Sequence, residues 1–190
     1  MAKKYLFFDT ETTGVNRNGD RIVQISWILT DDQDNELSAE SYIIKPDGYE
    51  IPARVSAIHG ITTERAIEEG LPLDEVMNAF EFDWNRADAI VAHNIGFDLS
   101  FVCREAENAG LSLADKPVQY DTMEASTDYC KLPGRYHGFG YSPYKSPKLI
   151  ELYRHLFKKG FSDAHTASAD TQACRECFWE LVRRDIIKLV

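Results

Sequence analysis

Tyr5-Leu6-Phe7-Phe8-Asp9-Thr10-Glu11-Thr12-Thr13-Gly14 is the stretch on which the reading of this chain turns. Its aromatic and apolar first half, Tyr5 to Phe8, predicts a buried strand. Side chains alternate across a strand, so Asp9 and Glu11, two residues apart, point to the same side. Two carboxylates side by side at the end of a core strand repel each other and resist desolvation, and a divalent cation compensates both effects. Gly14 then permits a tight turn. The same residues also suit a strand that simply ends in a polar, solvated turn, and the rest of the chain has to decide between the two.

The 190 residues suit one domain, read as spanning 1–190, with enough chain for a sizeable core. With 44% apolar and 27% charged residues, the composition is that of a soluble globular protein. No apolar run approaches the roughly 20 residues that span a bilayer. Too few apolar residues follow Lys3 and Lys4 for a signal peptide, so a cytoplasmic protein without membrane contact is expected. Cys174 and Cys177 form a C-x-x-C inside an expected helix with no second ligand pair nearby, and read as buried structural thiols.

The net charge of −10 is unevenly spread. Between Lys131 and Gly160, seven Lys and Arg residues face the single acid Glu151, a net of +6 that leaves −16 elsewhere. Tyr136, Phe139, Tyr141, Tyr144, Tyr153 and Phe157 are interleaved with those cations. Cations with stacking-capable rings suit a single-stranded nucleic acid, and a solvated basic face has the same composition.

Along the chain, strands are expected at Tyr5–Phe8, Ile22–Leu29 and Ser41–Ile44, joined by short polar turns as antiparallel hairpins. A short helix capped at Thr62 or Thr63 stops at Gly70, and a second opens at Pro72 with Leu73, Val76, Met77 and Phe80 at helical spacing. A brief strand at Ala89–Ala92 leads to a helix from about Asp98 to Asn108, a fifth strand over Pro117–Asp121 and a helix over Thr122–Cys130. A long loop covers Leu132 to Pro147, followed by helices over Pro147–Lys158 and from Ser168 onward. A β-meander followed by strands alternating with helices predicts an α/β fold on a mixed sheet.

Further carboxylates stand beside these elements. Asp98 lies just past a strand end, where ligands bind in α/β folds, and could equally cap the helix it begins. Asp170, four residues before Cys174, falls on the inward stripe of the last helix, where an ionised carboxylate needs a partner. His165 precedes it by five residues. Four carboxylates in oxygen-rich company suit Mg²⁺ or Mn²⁺ better than zinc. Two such ions about 4 Å apart support phosphodiester hydrolysis, with a neutral histidine taking the proton of the attacking water.

Phe8-Asp9-Thr10-Glu11-Thr12-Thr13-Gly14, Asn94-Ile95-Gly96-Phe97-Asp98 and the H-x4-D of His165 to Asp170 resemble, in order, the three exonuclease motifs of the DEDDh 3′→5′ exonucleases. That family includes the proofreading epsilon subunit of bacterial DNA polymerase III, RNase T and oligoribonuclease. The motifs span residues 8–171, almost the whole chain, and the histidine five residues before the last aspartate marks the DEDDh branch. Ala57-Ile58-His59-Gly60-Ile61-Thr62 is similar to the family's segment between the third strand and the first helix. The resemblance implies an RNase H-like fold with a five-stranded mixed sheet, its first three strands antiparallel and helices flanking it. It implies Asp9, Glu11, Asp98 and Asp170 as ligands of two Mg²⁺ or Mn²⁺ ions and His165 as the general base. Thr12, Thr13 and Gly14 would lie against the terminal nucleotide, with Ile61 and Phe97 as apolar contacts to its base. The substrate would be the 3′ end of single-stranded DNA or RNA, with nucleoside 5′-monophosphates as product and a DNA polymerase or another replication or repair protein as a candidate partner.

This chain has Gln24 where the family often has Glu in the second strand, and its Leu132–Pro147 loop is longer than the compact epsilon-like pattern. DNA proofreading or repair trimming is the leading expectation. An exoribonuclease of the oligoribonuclease or RNase T type and a non-catalytic nucleic-acid-binding module are the alternatives.

Overall fold

The computed structural model describes residues 2–116, 118–134, 143–162 and 166–190. The chain runs β1 (Lys4–Thr12), β2 (Ile22–Asp31), β3 (Glu36–Ile43), α1 (Ala53–His59), α2 (Thr63–Glu69), α3 (Leu73–Arg86), β4 (Ala89–Ala92), α4 (Ile95–Asn108), β5 (Val118–Asp121), α5 (Thr122–Cys130), α6 (Leu149–Phe157) and α7 (Ala167–Arg183). The five strands form one mixed sheet in the order β3-β2-β1-β4-β5. β1 pairs antiparallel with β2, and β2 with β3; β4 pairs parallel with β1 and with β5. The expected α/β fold, with three antiparallel strands first, is what the chain adopts.

β1 is central, and its alternation builds both layers of the core. Leu6 and Phe8, with Ile25, Trp27 and Leu29 of β2, face α3 and α4 through Val76, Phe80, Trp84, Phe101 and Val102. Tyr5 and Phe7 face the opposite way, against Cys174, Cys177, Phe178 and Leu181 of α7 and Leu152 and Leu156 of α6. The Cys174 and Cys177 side chains are buried there as free thiols, as expected. Burial at this density is the main favourable contribution to folding. Among the described residues, no helix is long and apolar enough to cross a membrane.

Several boundaries differ from expectation for identifiable reasons. β1 continues to Thr12, so Asp9 and Glu11 lie within the strand rather than beyond its end; the pairing Asp9 with Ser26 and Glu11 with Gln24 carries the polar half onward. β3 begins at Glu36, five residues before the expected start, because ladder pairing with β2 recruits the polar stretch Glu36–Glu40 at the sheet edge. Residues 57–59, expected to lie in a connecting segment, close the unexpected helix α1, which ends at Gly60 in the left-handed conformation with φ 75°. Of the long Leu132–Pro147 loop, Leu132 and Lys145 form an isolated antiparallel bridge, and residues 135–142 lie outside the described residues. Pro117, the expected first residue of the fifth strand, is also outside them.

The parallel register of β1 with β4 is Tyr5–Phe7 against Ala89–Val91. Beyond Phe7, β1 therefore runs on past its β4 partner toward the start of α4. That point, where the central strand has an antiparallel neighbour on one side and a parallel one on the other, is the crevice in which open α/β sheets place their ligands.

Candidate active site

β1 supplies the first two carboxylates. The odd-numbered residues of the strand face α7, so the side that buries Tyr5 and Phe7 also carries Asp9 and Glu11. α7 supplies the third. It starts at a capped N-terminus, where the Thr166 hydroxyl accepts the backbone N–H of Ala169, and Asp170 lies in its first turn. The next residue, Thr171, is fully buried, with its hydroxyl 2.7 Å from the Ala167 carbonyl and 3.3 Å from that of Ser26, the strand partner of Asp9. Helix and strand are thereby locked at the level of the acids. One carboxylate oxygen each from Asp9, Glu11 and Asp170 lies within 4.8 Å of the others.

Asp98 comes from the other side of the sheet. α4 begins at Ile95, three residues before the expected start, with Asn94 as its N-terminal flanking residue at φ 73°. Asp98 is therefore not the cap of this helix. It sits in the first turn, 3% exposed, and its Oδ1 accepts hydrogen bonds from the Thr10 backbone N–H at 3.0 Å and the Thr10 hydroxyl at 2.7 Å. Thr10 lies between Asp9 and Glu11 in the strand, so these bonds tie the fourth carboxylate to the strand that bears the first two.

The electrostatics is that of crowded anions. Burial pushes the Asp9 carboxyl far up, and the charges of Asp98, Asp170 and Glu11 add to the effect. Glu11 is pushed up to about 8 by burial and then by Asp170 and Asp98. Asp98 rises to about 7 through burial, against the two Thr10 hydrogen bonds that favour its charged form, with the Asp121 charge adding upward pressure. Among the described residues, no Lys, Arg or His forms an ion pair with Asp9, Glu11 or Asp98. Asp9 and Glu11 nevertheless keep part of their surface open to solvent. An all-oxygen, highly anionic and accessible donor set fits hard divalent cations, which would relieve the repulsion that raises these groups.

The other expected site residues are placed as follows. Thr12, Thr13 and Gly14 are buried at the end of β1. The Thr12 hydroxyl donates to the Gly14 carbonyl at 2.6 Å, and the Thr13 hydroxyl donates to Asp20 at 3.0 Å and accepts the Arg21 N–H at 2.9 Å. Gly14 does not serve a left-handed turn. A Cβ there would stand 2.4 Å from Asp20 Oδ2, so any larger residue would have to displace the Asp20 carboxylate from its bonds to the Thr13 hydroxyl and the Asn16 N–H. Phe97 is half-buried at the start of α4 and packs against Phe101 with ring centroids 4.9 Å apart. Ile61 is 2% exposed, its side chain packed with Val23, Ile51 and Ala66. His165 lies outside the described residues.

The comparisons with known proteins agree with this geometry. Residues 6–178 match the RNase T family model, described as exonuclease. This chain belongs to the RNase T exonuclease family. Within that family it is 30% identical over 176 residues to the DNA polymerase III subunit epsilon of Treponema pallidum, covering 92% of this chain and 74% of the relative. It is 28% identical to the PolC-type DNA polymerase III of Listeria welshimeri, covering 94% of this chain and only 11% of that polymerase. To the 3′-5′ exonuclease DinG of Bacillus subtilis it is 30% identical, over 96% of this chain and 18% of DinG. Among solved structures, exonuclease I superposes with a TM-score of 0.78 at 22% identity, over 95% of this exonuclease-family chain and 41% of the neighbour, which establishes a shared fold. The zinc-bound complex of E. coli exonuclease I with ssDNA gives a TM-score of 0.75.

Three polar residues beyond the expected metal and substrate contacts shape the site, and of these only Gln24 stands out in the sequence, as a departure from the family pattern. Thr10 anchors Asp98. Gln24, opposite Glu11 on β2, accepts the Ala167 backbone N–H at 3.3 Å and so holds the start of α7. Glu105, 1% exposed, takes a bidentate pair from Arg21 at 2.7 and 2.9 Å and fixes the chain that returns after Gly14. Glu105 falls at helical spacing from Phe101 and Val102, on the inward stripe of α4, and that position is its signal in the sequence; Thr10 carries none.

Proposed function

We propose that this chain is a 3′→5′ exonuclease domain that depends on two divalent ions and removes nucleoside 5′-monophosphates from the 3′ end of single-stranded DNA. The observation that carries the reading is the convergence of Asp9, Glu11 and Asp170 within 4.8 Å of one another, beside an Asp98 tied to the same strand. When bound, two Mg²⁺ or Mn²⁺ ions held by these four residues would supply the positive charge that lowers the pKa of a water and balances the leaving oxygen.

The protein's own groups then have separate tasks. His165, next in sequence to the α7 cap Thr166, accepts the proton of the attacking water. The Thr10 hydrogen bonds keep Asp98 oriented, and the Gln24 bond to Ala167 keeps the first turn of α7, with Asp170, at the level of Glu11. Thr12, Thr13 and Gly14 line the terminal nucleotide, with Ile61 and Phe97 shaping the apolar wall at its base. DNA is favoured over RNA because relatives sharing at least 27% identity across more than nine-tenths of this chain are named as DNA polymerase III components. The same names support a replication or repair setting in the cytoplasm, with a polymerase as partner.

The test is digestion of matched 3′-labelled DNA and RNA oligomers of one sequence, with Mg²⁺ and with EDTA. Stepwise loss of the 3′ label as mononucleotide from DNA, only with Mg²⁺, is the expected result, and Asp98→Ala reduces it by at least about 10³-fold. Label release in EDTA, release from the 5′ side, or faster digestion of the RNA would each overturn the corresponding part of the assignment. Binding of the strand without any cleavage would identify a non-catalytic module instead.

A further inference from the structure

We infer that Asp121 is a positioning residue for the carboxylate cluster: it holds the start of α4, and through it Asp98, in the geometry that binds the ions. The inference deepens the metal-dependent reading above and rests on it. Asp121 is the last residue of β5 and pairs with Ala92, the last residue of β4, so its side chain leaves the sheet where the chain turns into α4. Its Oδ1 accepts the backbone N–H groups of Met123 at 2.9 Å and Glu124 at 3.3 Å, capping α5. An ordinary cap would stop there. This carboxylate also accepts the N–H of Asn94 at 3.0 Å on Oδ1 and that of Ile95 at 3.1 Å on Oδ2.

One side chain therefore satisfies N-terminal donors of two helices at once. Those of α4 receive no side-chain cap from Asn94, which sits in the left-handed region at φ 73°. Asp98 is one turn beyond Ile95, so the linkage runs from β5 through Asp121 to the first turn of α4, then through Asp98 to Thr10 on β1. Asp121 touches neither the Asp9–Glu11–Asp170 group nor Thr10 among the described contacts, so it acts through Asp98 rather than as a ligand.

The experiment measures Mn²⁺ binding by calorimetry, alongside thermal stability and the Mg²⁺ concentration giving half-maximal cleavage, for wild type, Asp121→Asn, Asp121→Ala and Asp31→Ala. Asp31 is the control: it accepts the backbone N–H groups of Gln33 and Asn35 in the distant β2–β3 turn, so its loss removes comparable bonds away from the cluster. The expected result is a weakening of Mn²⁺ binding by about 10-fold or more in Asp121→Ala, the range typical of outer partners of metal ligands, and a smaller loss in Asp121→Asn, which keeps one acceptor oxygen. The half-maximal Mg²⁺ concentration rises in the same order, while Asp31→Ala lowers stability without moving either quantity. Wild-type Mn²⁺ affinity in folded Asp121→Asn and Asp121→Ala would overturn the inference, leaving Asp121 a structural cap. If Asp121→Ala does not fold, Asp121→Asn decides alone. Wild type that neither binds Mn²⁺ nor cleaves would instead refute the metal-dependent function itself.

Discussion

Asp9 shows what this site costs the fold. It shares one strand face with Glu11 and lies against α7 beside Asp170, and burial with three like charges pushes its carboxyl far above the ordinary range. Asp9→Asn keeps the shape and removes one charge from the group. The metal-free variant should melt about 3 °C above wild type at pH 8, the shift that ~1 kcal/mol gives in a chain of this size, while Mg²⁺-dependent cleavage is lost. A melting temperature equal to or below that of wild type in EDTA would contradict the repulsion. Gly14 teaches a different lesson at the same scale. From the sequence it reads as a turn former, yet its value lies in the absence of a Cβ 2.4 Å from Asp20 Oδ2. Which of the two a glycine supplies depends on a contact six residues away in the chain, and local reading does not reach it.

At the scale of elements, α7 is the platform that brings Asp170 to β1. Phe178 is fully buried in its apolar stripe and makes ring contacts with Tyr5, Phe7, Tyr120 and Trp179, centroids 5.1–5.8 Å apart. Phe178→Ala should cost roughly 3–5 kcal/mol in urea unfolding. The same change should raise the Mg²⁺ concentration needed for half-maximal cleavage, because the platform loosens behind Asp170. A cost under about 1 kcal/mol would mean that α7 is held mainly by its polar links, Thr171 to β2, Gln24 to Ala167 and Arg175 to Asp34 and Glu36. The stripe itself is legible from helical periodicity, β4 from its short apolar run Ala89–Ala92 and α2 from its Thr62 cap. α1 and the polar start of β3 are not: neither has an apolar period, the start of β3 forms because β2 supplies its ladder partners, and α1 is a short helix closed by Gly60 in the left-handed conformation.

For the whole molecule, the anionic site makes stability depend on pH and metal together. Glu11 is raised from an ordinary 4.5 to about 8 and Asp98 from 3.8 to about 7. Between those limits the folded protein binds more protons than the unfolded chain, so this contribution to stability is fully present below about pH 4 and is lost as pH rises through 7 to 8. Glu105 works in the opposite sense: burial would raise it, but hydrogen bonds from Arg21 and Asn108 hold it below the usual carboxylate range. Its contribution is present above the ordinary carboxylate pKa and lost in acid. In EDTA the melting temperature should therefore fall by on the order of 5 °C between pH 5.5 and 8, and millimolar Mg²⁺ should abolish most of that fall. A flat profile in EDTA, or no Mg²⁺ effect at pH 8, would contradict a carboxylate group that needs a cation.

Apart from α1 and the start of β3, the sequence by itself determined the element types, the mixed sheet and the candidate acids. Strand alternation and helix periodicity are local properties, and Asp9-x-Glu11, Asp98 and His165-x4-Asp170 each sit at a recognisable boundary. Only the tertiary structure decided how those acids are held. The Thr10 hydroxyl reaches Asp98 across 88 residues of chain, Gln24 reaches Ala167 across 143, and Asp121 joins two helices by way of β5. Each of these hydrogen bonds is made by a polar side chain that carries no periodic signal. The bond's existence depends on strand register and on the exact turn at which a helix begins, and both are fixed by packing across the whole sheet rather than by neighbouring residues.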